Sequence, residues 1–321
     1  MATSTKIPVI ALEEHYWDAE LVSHLTGAEG TRSKDLLERL HDLGTLRIRE
    51  MDEAGVDVQV LSHGAPSGQK LPEDSAVEIC RGVNDRLAKA IALHPTRFAG
   101  FAALPTIHPE KAADELDRCV SEHGFKGAMI HGLTNGMWLD DKRFWPIFAR
   151  AEKLGVPIYL HPSFPHADVM KAYYADYAQE YPQVIRAAWG YTVEAATQAI
   201  RLVLSRVFEK HDGLNIILGH MGETLPFLMW RINQALSRPG HEEMSFREQF
   251  SRHFHVTTSG NFSTPALMCT MTELGMDRIM FAIDWPFVAN RPAMDWVENL
   301  QISREDKVKL LSGNAKKLLR M

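Results

Sequence analysis

Eight short, almost uninterrupted apolar runs recur along the chain, each bounded by Gly, Pro or Asp, and they limit the fold more than any other feature. They are PVIALEEH (8–15), VDVQVLSH (56–63), FAGFAALP (98–105), FKGAMIHG (125–132), VPIYLHP (156–162), LNIILGHMG (214–222), FHVTTSGN (254–261) and RIMFAIDWP (278–286). A parallel strand covered on both faces reads this way, because neither face needs polar residues. Amphipathic stretches at helical spacing fill the gaps, at 33–54, 74–94, 109–123, 140–154, 186–211, 224–236, 264–274 and 292–311. Gly55, Gly124, Gly155 and Gly275 follow four of them, where a left-handed cap costs glycine little. Eight strands alternating with eight helices specify an α/β fold, a (β/α)8 TIM barrel. An open doubly wound sheet would carry a Gly-rich turn after its first strand, and that place holds EEHYW (13–17). The expectation is a single barrel domain over residues 1–321. The aromatic stretch 163–183 is long for a βα loop and reads as a lid or substrate wall.

Several function classes fall away on composition. A net charge of -6 with no basic block argues against nucleic acid as a partner. No apolar run reaches bilayer length, and the N-terminal apolar run is short and closed by acids, so neither a membrane partner nor a signal peptide is expected. Cys80, Cys119 and Cys269 are odd in number and far apart, which fits a reducing compartment, by default the cytoplasm.

Chemistry in such a barrel gathers at the C-terminal strand ends. Those ends carry Glu13-Glu14-His15, His63, His131, His161, His220 and Asp284. Glu13 and His15, two apart on a strand, share a face, and Glu14 points the other way. With His161 and Asp284 they offer nitrogen and oxygen ligands suited to Zn2+ or Mn2+, with positions left for water or substrate. The plain alternative for Glu13 and His15 is a salt-bridged strand end. His220 has Glu223 close behind it, a partner that can fix its tautomer and raise its basicity; the alternative is a structural histidine at a helix start. Arg231 could clamp a substrate carboxylate or pair with Glu223.

These phrases together resemble the amidohydrolase superfamily, in particular its metal-dependent, non-oxidative decarboxylases of aromatic acids (the γ-resorcylate and 2,3-dihydroxybenzoate type). ALEEH (11–15), YLHP (159–162), LNIILGHMGETLPFLMWRI (214–232), HVTTSGNFST (255–264) and FAIDWPF (281–287) carry the resemblance, which spans nearly the whole chain. It implies Glu13, His15, His161 and Asp284 as metal ligands, His220 with Glu223 as an acid/base pair, and Arg231 in the substrate site. Glu13 stands where the superfamily's usual H-x-H has its first histidine, and no lysine ends the fourth strand, so one divalent ion rather than two is implied. Where the resorcylate-type enzymes have an Asn-containing turn this chain has His131-Gly132, and where they have a basic residue after the YLHP histidine it has Ser163-Phe164-Pro165-His166. Substrate donors are therefore expected from His131, His63 and His166, with Phe287 in the pocket.

The function implied is loss of CO2 from a hydroxylated aromatic carboxylic acid, a small-molecule partner, with Asp284 protonating the ring carbon and His220, held by Glu223, managing protons. Metal-dependent hydrolysis of an ester, lactone or amide, or a hydratase, is the alternative on the same fold; a barrel that only binds metal or ligand is a further one. The resembling family forms dimers and tetramers, and apolar residues in 138–145 and 225–230 fit subunit contacts as well as core packing.

Overall fold

The computed structural model describes residues 6–237 and 245–321; residues 1–5, the start of the N-terminal stretch discussed above, lie outside them. Strands β1 (Ile10–Tyr16), β2 (Val58–His63) and β3 (Phe98–Gly100) pair in parallel, as do β4 (Ala128–His131), β5 (Ile158–His161), β6 (Ile216–Leu218), β7 (Phe254–Thr257) and β8 (Ile279–Met280). Backbone hydrogen bonds join the two groups at both seams. Ala102 N donates to Gly127 O (2.9 Å) and Met129 N to Ala102 O (3.2 Å), extending β3 onto β4. Asp284 N donates to Glu13 O (3.0 Å) and His15 N to Trp285 O (2.6 Å), bringing the chain after β8 onto β1. Every strand thus has two neighbours, and the sheet closes into the expected barrel.

Side-chain parity explains the interior. Ile10, Leu12, Val60, Phe101, Met129, Tyr159, Ile217, Met280 and Ala282 form one apolar cluster inside the barrel, with Ala315 and Leu319 packed on it. A second, larger cluster lies between strands and helices. One irregularity matters for function: opposite β2, the β1 register slips by one residue between Ala11 and Glu14. The extra residue lets Leu12 and Glu13 both face inward, so the strand passes from core to site within one step.

The surrounding helices are α1 (Thr45–Ala54), α2 (Ala76–Leu93), α3 (Pro109–His123), α4 (Trp145–Leu154), α5 (Gly190–Leu204), α6 (Leu225–Leu236), α7 (Thr264–Leu274) and α8 (Asn290–Asn299). Three expected helices are broken. Asp42 Oδ1 takes the backbone N–H of Gly44 (3.0 Å) and Arg47 (2.9 Å), which divides 33–54 into Lys34–His41 and α1. The stretch 186–211 becomes α5 and Val207–Lys210, separated by Arg206 in a left-handed conformation. The stretch 292–311 gives α8 and a new start at Arg304, capped by Ser303. Phe246–His253 is a helix not anticipated from sequence. The stretch 163–183 is mostly short helical turns, and Tyr173, Tyr177 and Tyr181 on it face solvent.

Candidate active site

Glu13, His15, His161 and Asp284 converge at the barrel mouth, one ligand atom from each lying within 4.8 Å of the others. Glu13 Oε1 is central: His161 Nε2 is 3.4 Å away, His220 Nε2 3.7 Å and His15 Nε2 4.0 Å. Asp284 Oδ1 lies 3.3 Å from His15 Nε2. Glu13 Oε1, His15 Nε2 and Asp284 Oδ1 are buried with no hydrogen-bond partner among the described residues. Three such atoms aimed at one point would be costly in a purely structural cluster. Burial pushes the Glu13 carboxyl above its usual range. Burial and the nearby imidazoles of His131, His15 and His220 hold His161 well below the ordinary histidine value, so its ring stays neutral, the form that ligates.

Each of these side chains is held from behind. Tyr159 OH, inside the barrel on β5, donates to Glu13 Oε2 and meets Thr257 Oγ1 at 2.7 Å. Ser62 Oγ lies 3.2 Å from His15 Nδ1. His161 Nδ1 faces Pro162 O at 2.6 Å and His131 Nδ1 at 2.9 Å, which leaves Nε2 for the centre. Glu14 does point away: its carboxylate accepts from the backbone N–H of Ile283 (2.9 Å) and Trp285 (3.3 Å), tying the segment that carries Asp284 to β1. Fully buried Arg47 donates to His15 O (2.6 Å), with its guanidinium 4.0 Å from the centre of the Trp285 ring. Asp284 itself has φ +76, a conformation uncommon outside glycine.

The chain after β6 makes an unusual turn. His220, Met221, Gly222, Glu223 and Thr224 all have positive φ, at +50, +60, +80, +52 and +66. Left-handed backbone costs non-glycine residues roughly 1–2 kcal/mol each. It brings His220 Nδ1 to 2.7 Å from the buried Glu223 Oε1 and turns Nε2 toward Glu13. Burial alone would lower the His220 pKa, but Glu223 and Glu13 outweigh it and push it up to about 10. Gly219 precedes the turn because a Cβ there would sit 2.8 Å from Glu13 Oε2.

A cavity of about 450 Å³ opens beside the cluster, lined by His161, His220 and Asp284 and, opposite in character, by Arg32, Gln183, Arg186, Tyr191, Thr192 and Phe287. The Phe287 ring in that lining is 5.6 Å from that of His15. Four other expected substrate contacts lie outside the lining of this cavity. Arg231 is exposed on α6 and is absent from the cavity lining, because Leu225 and Met229 turn the opposite helix face inward. Glu223, its other suggested partner, is buried against His220. His63 is out of phase with Val60 and Ser62, the inward residues of β2, and its Nδ1 meets Gly64 O at 2.8 Å. His131 is buried behind His161 instead of lining the cavity. His166 lines a separate cavity with Phe164 and Lys70.

The chain matches the amidohydrolase family over residues 15–321. The γ-resorcylate decarboxylase of Rhizobium sp. (strain MTP-10005) is 38% identical, over 97% of this chain and 98% of its own. A solved structure of 2,6-dihydroxybenzoate decarboxylase complexed with 2,6-dihydroxybenzoate superposes with a TM-score of 0.87 at 37% identity, covering 98% of this chain and 100% of that one. The dihydroxybenzoic acid decarboxylase of Polaromonas sp. JS666, solved with bound manganese and the inhibitor 2-nitroresorcinol, reaches a TM-score of 0.90 at 40% identity, covering 98% of this chain and 97% of its own. Barrel, polar strand ends and a match over most of its length lead to one conclusion: the chain belongs to the amidohydrolase family.

Proposed function

We propose that this chain is a metal-dependent, non-oxidative decarboxylase of a hydroxylated aromatic carboxylic acid. The observation that carries the reading is the convergence of buried, unpartnered Glu13 Oε1, His15 Nε2 and Asp284 Oδ1 beside a cavity walled by His220 and Phe287. Two imidazoles and two carboxylates fit one divalent cation, and Glu13, His15, His161 and Asp284 would hold it. Manganese is favoured by the likeness to the manganese-bound Polaromonas structure, and the same donor set accepts zinc. When bound, the ion supplies Lewis-acid stabilisation of a phenolate and orients the neighbouring carboxylate.

The protein's own residues carry the protons. Asp284 has a buried Oδ1 turned to the cluster, while the side chain is 16% exposed on the cavity side. Its carboxyl delivers a proton to the ring carbon that bears the carboxylate, which converts the phenol ring to a dienone. The C–C bond then breaks, its electrons restore the aromatic ring, and CO2 leaves. His220, fixed by Glu223 and held protonated beside it, sustains the proton supply to Asp284, and the phenol enters the step as its phenolate. Phe287 packs against the ring and helps exclude water.

A homodimer or homotetramer in the cytoplasm completes the proposal. Phe227 (81% exposed) and Trp230 (68%) on α6 support a subunit contact, and the free thiols of Cys80, Cys119 and Cys269 support a reducing compartment. The test is to incubate manganese-loaded protein with dihydroxybenzoates in D2O. Release of CO2 with one deuterium on the ring is expected. Label from H2(18)O entering a new carboxylate, without CO2, would establish a hydrolase instead.

A further inference from the structure

His131 and His161 end neighbouring strands at the same level. In the register of β4 on β5 they are partners, as are Met129 and Tyr159 two residues earlier on the inward face. Strand parity thus brings His131 to the rim of the four-donor cluster, although it is not one of the four. It is anchored there. Its backbone N–H donates to Gln69 Oε1 (3.0 Å), and Gln69 Nε2 donates in turn to Leu104 O (3.2 Å). The centres of the His131 and His161 rings are 4.6 Å apart, and Nδ1 faces Nδ1 at 2.9 Å.

Two ring nitrogens at that separation hold one proton between them, because two N–H groups aimed at each other would clash. The other neighbours decide which ring owns it. His161 Nδ1 also lies 2.6 Å from Pro162 O, a group that only accepts, so the proton is on His161 Nδ1. His161 Nε2 then has a free lone pair, the tautomer that binds a metal. If His131 donated instead, His161 would carry its proton on Nε2, leaving no lone pair for the ion and a lone pair against the Pro162 carbonyl. His131 Nδ1 is therefore an acceptor, and its proton sits on Nε2, which is buried with no partner among the described residues. A histidine kept only for packing would not carry that cost. Pro162 O belongs to the residue after His161 and moves with it, so it selects the tautomer without fixing the ring against the barrel. A partner on the neighbouring strand does fix it. We propose that His131 is a positioning residue of the metal centre, its Nδ1 accepting from His161 Nδ1–H and aiming His161 Nε2 at the cation. This rests on the metal reading of the cluster, not on the reaction.

Mn2+ affinity, read from the electron paramagnetic resonance signal of the free ion, tests the role without requiring turnover. His131→Asn keeps an acceptor oxygen near the Nδ1 position, His131→Leu has almost the same shape without one, and His131→Phe keeps a ring without one. His131→Asn should bind Mn2+ within about threefold of the parent, and the two apolar variants about tenfold or more weakly, the scale on which the group behind a metal-bound histidine acts. Parent affinity in either apolar variant, or a loss in His131→Asn equal to theirs, would overturn the proposal. The tautomer is read in the parent protein itself, from the histidine nitrogen resonances of the zinc-loaded form. His131 should be the Nε2–H form, and a proton on Nδ1 would overturn the proposal whatever the variants do. A parent that binds no Mn2+ would overturn the metal reading beneath it. The expected affinities with no CO2 from any phenolic acid would support the role of His131 and count against the decarboxylase reading alone.

Discussion

Glu13 and Glu14 are adjacent, both fully buried, and do opposite work. Glu13 leaves an oxygen unpartnered at the cluster, whereas Glu14 spends its oxygens on the N–H groups of Ile283 and Trp285 and on Gln59 Nε2. Glu14→Ala should therefore lower stability by about 3 kcal/mol, since two buried N–H groups lose their acceptor; an unchanged denaturant midpoint would refute that role. Asp284→Asn should cut kcat about a thousand-fold or more, the scale of losing a positioned proton donor, and His220→Asn should cost about a hundred-fold or more. The four converging donors were legible because polar residues at the ends of apolar runs have few other reasons to be there. Tyr159 and Ser62 were not, since a tyrosine and a serine within a strand look ordinary until the barrel interior is known. His63 was misplaced for the related reason that its side of β2 follows from register, which the run VDVQVLSH does not disclose.

At the scale of elements, the turn His220–Thr224 departs furthest from what local propensity favours. Thr224 is exposed, has φ +66 and makes no side-chain cap for α6. Thr224→Gly should relieve that strain and raise stability by about 0.5–1 kcal/mol after the entropy cost of glycine; a loss in unfolding midpoint would show that the threonine side chain itself supports the turn. Strand and helix order was readable from periodicity, but the breaks were not. Asp42 interrupts 33–54 by capping two backbone N–H groups, an effect invisible to a hydrophobic pattern. Phe246–His253 did leave a signal: Ser245 with Glu248 three residues on is a capping box, and the Ser245 hydroxyl accepts from Glu248 N at 3.2 Å.

For the whole molecule, closure between the β8 segment and β1 places Asp284 beside His15, so the site exists only once the barrel is complete. One buried acid outside the cluster should govern pH-dependent stability. Burial raises Glu194, on α5, from 4.5 to about 8. Between those values the folded state binds more protons than the unfolded one, so stability falls as pH rises through the window. Glu194→Gln lacks that term, and its stability relative to the parent should grow from about pH 5 to about pH 9; a constant difference would contradict the shift. The central claim, one metal site serving decarboxylation, is tested most directly by titrating metal-stripped protein with Mn2+ while measuring CO2 released from a hydroxybenzoate. Activity that is absent without metal, rises linearly and saturates at one ion per chain is the predicted result. Activity that persists after stripping, or that requires two ions per chain, would contradict it.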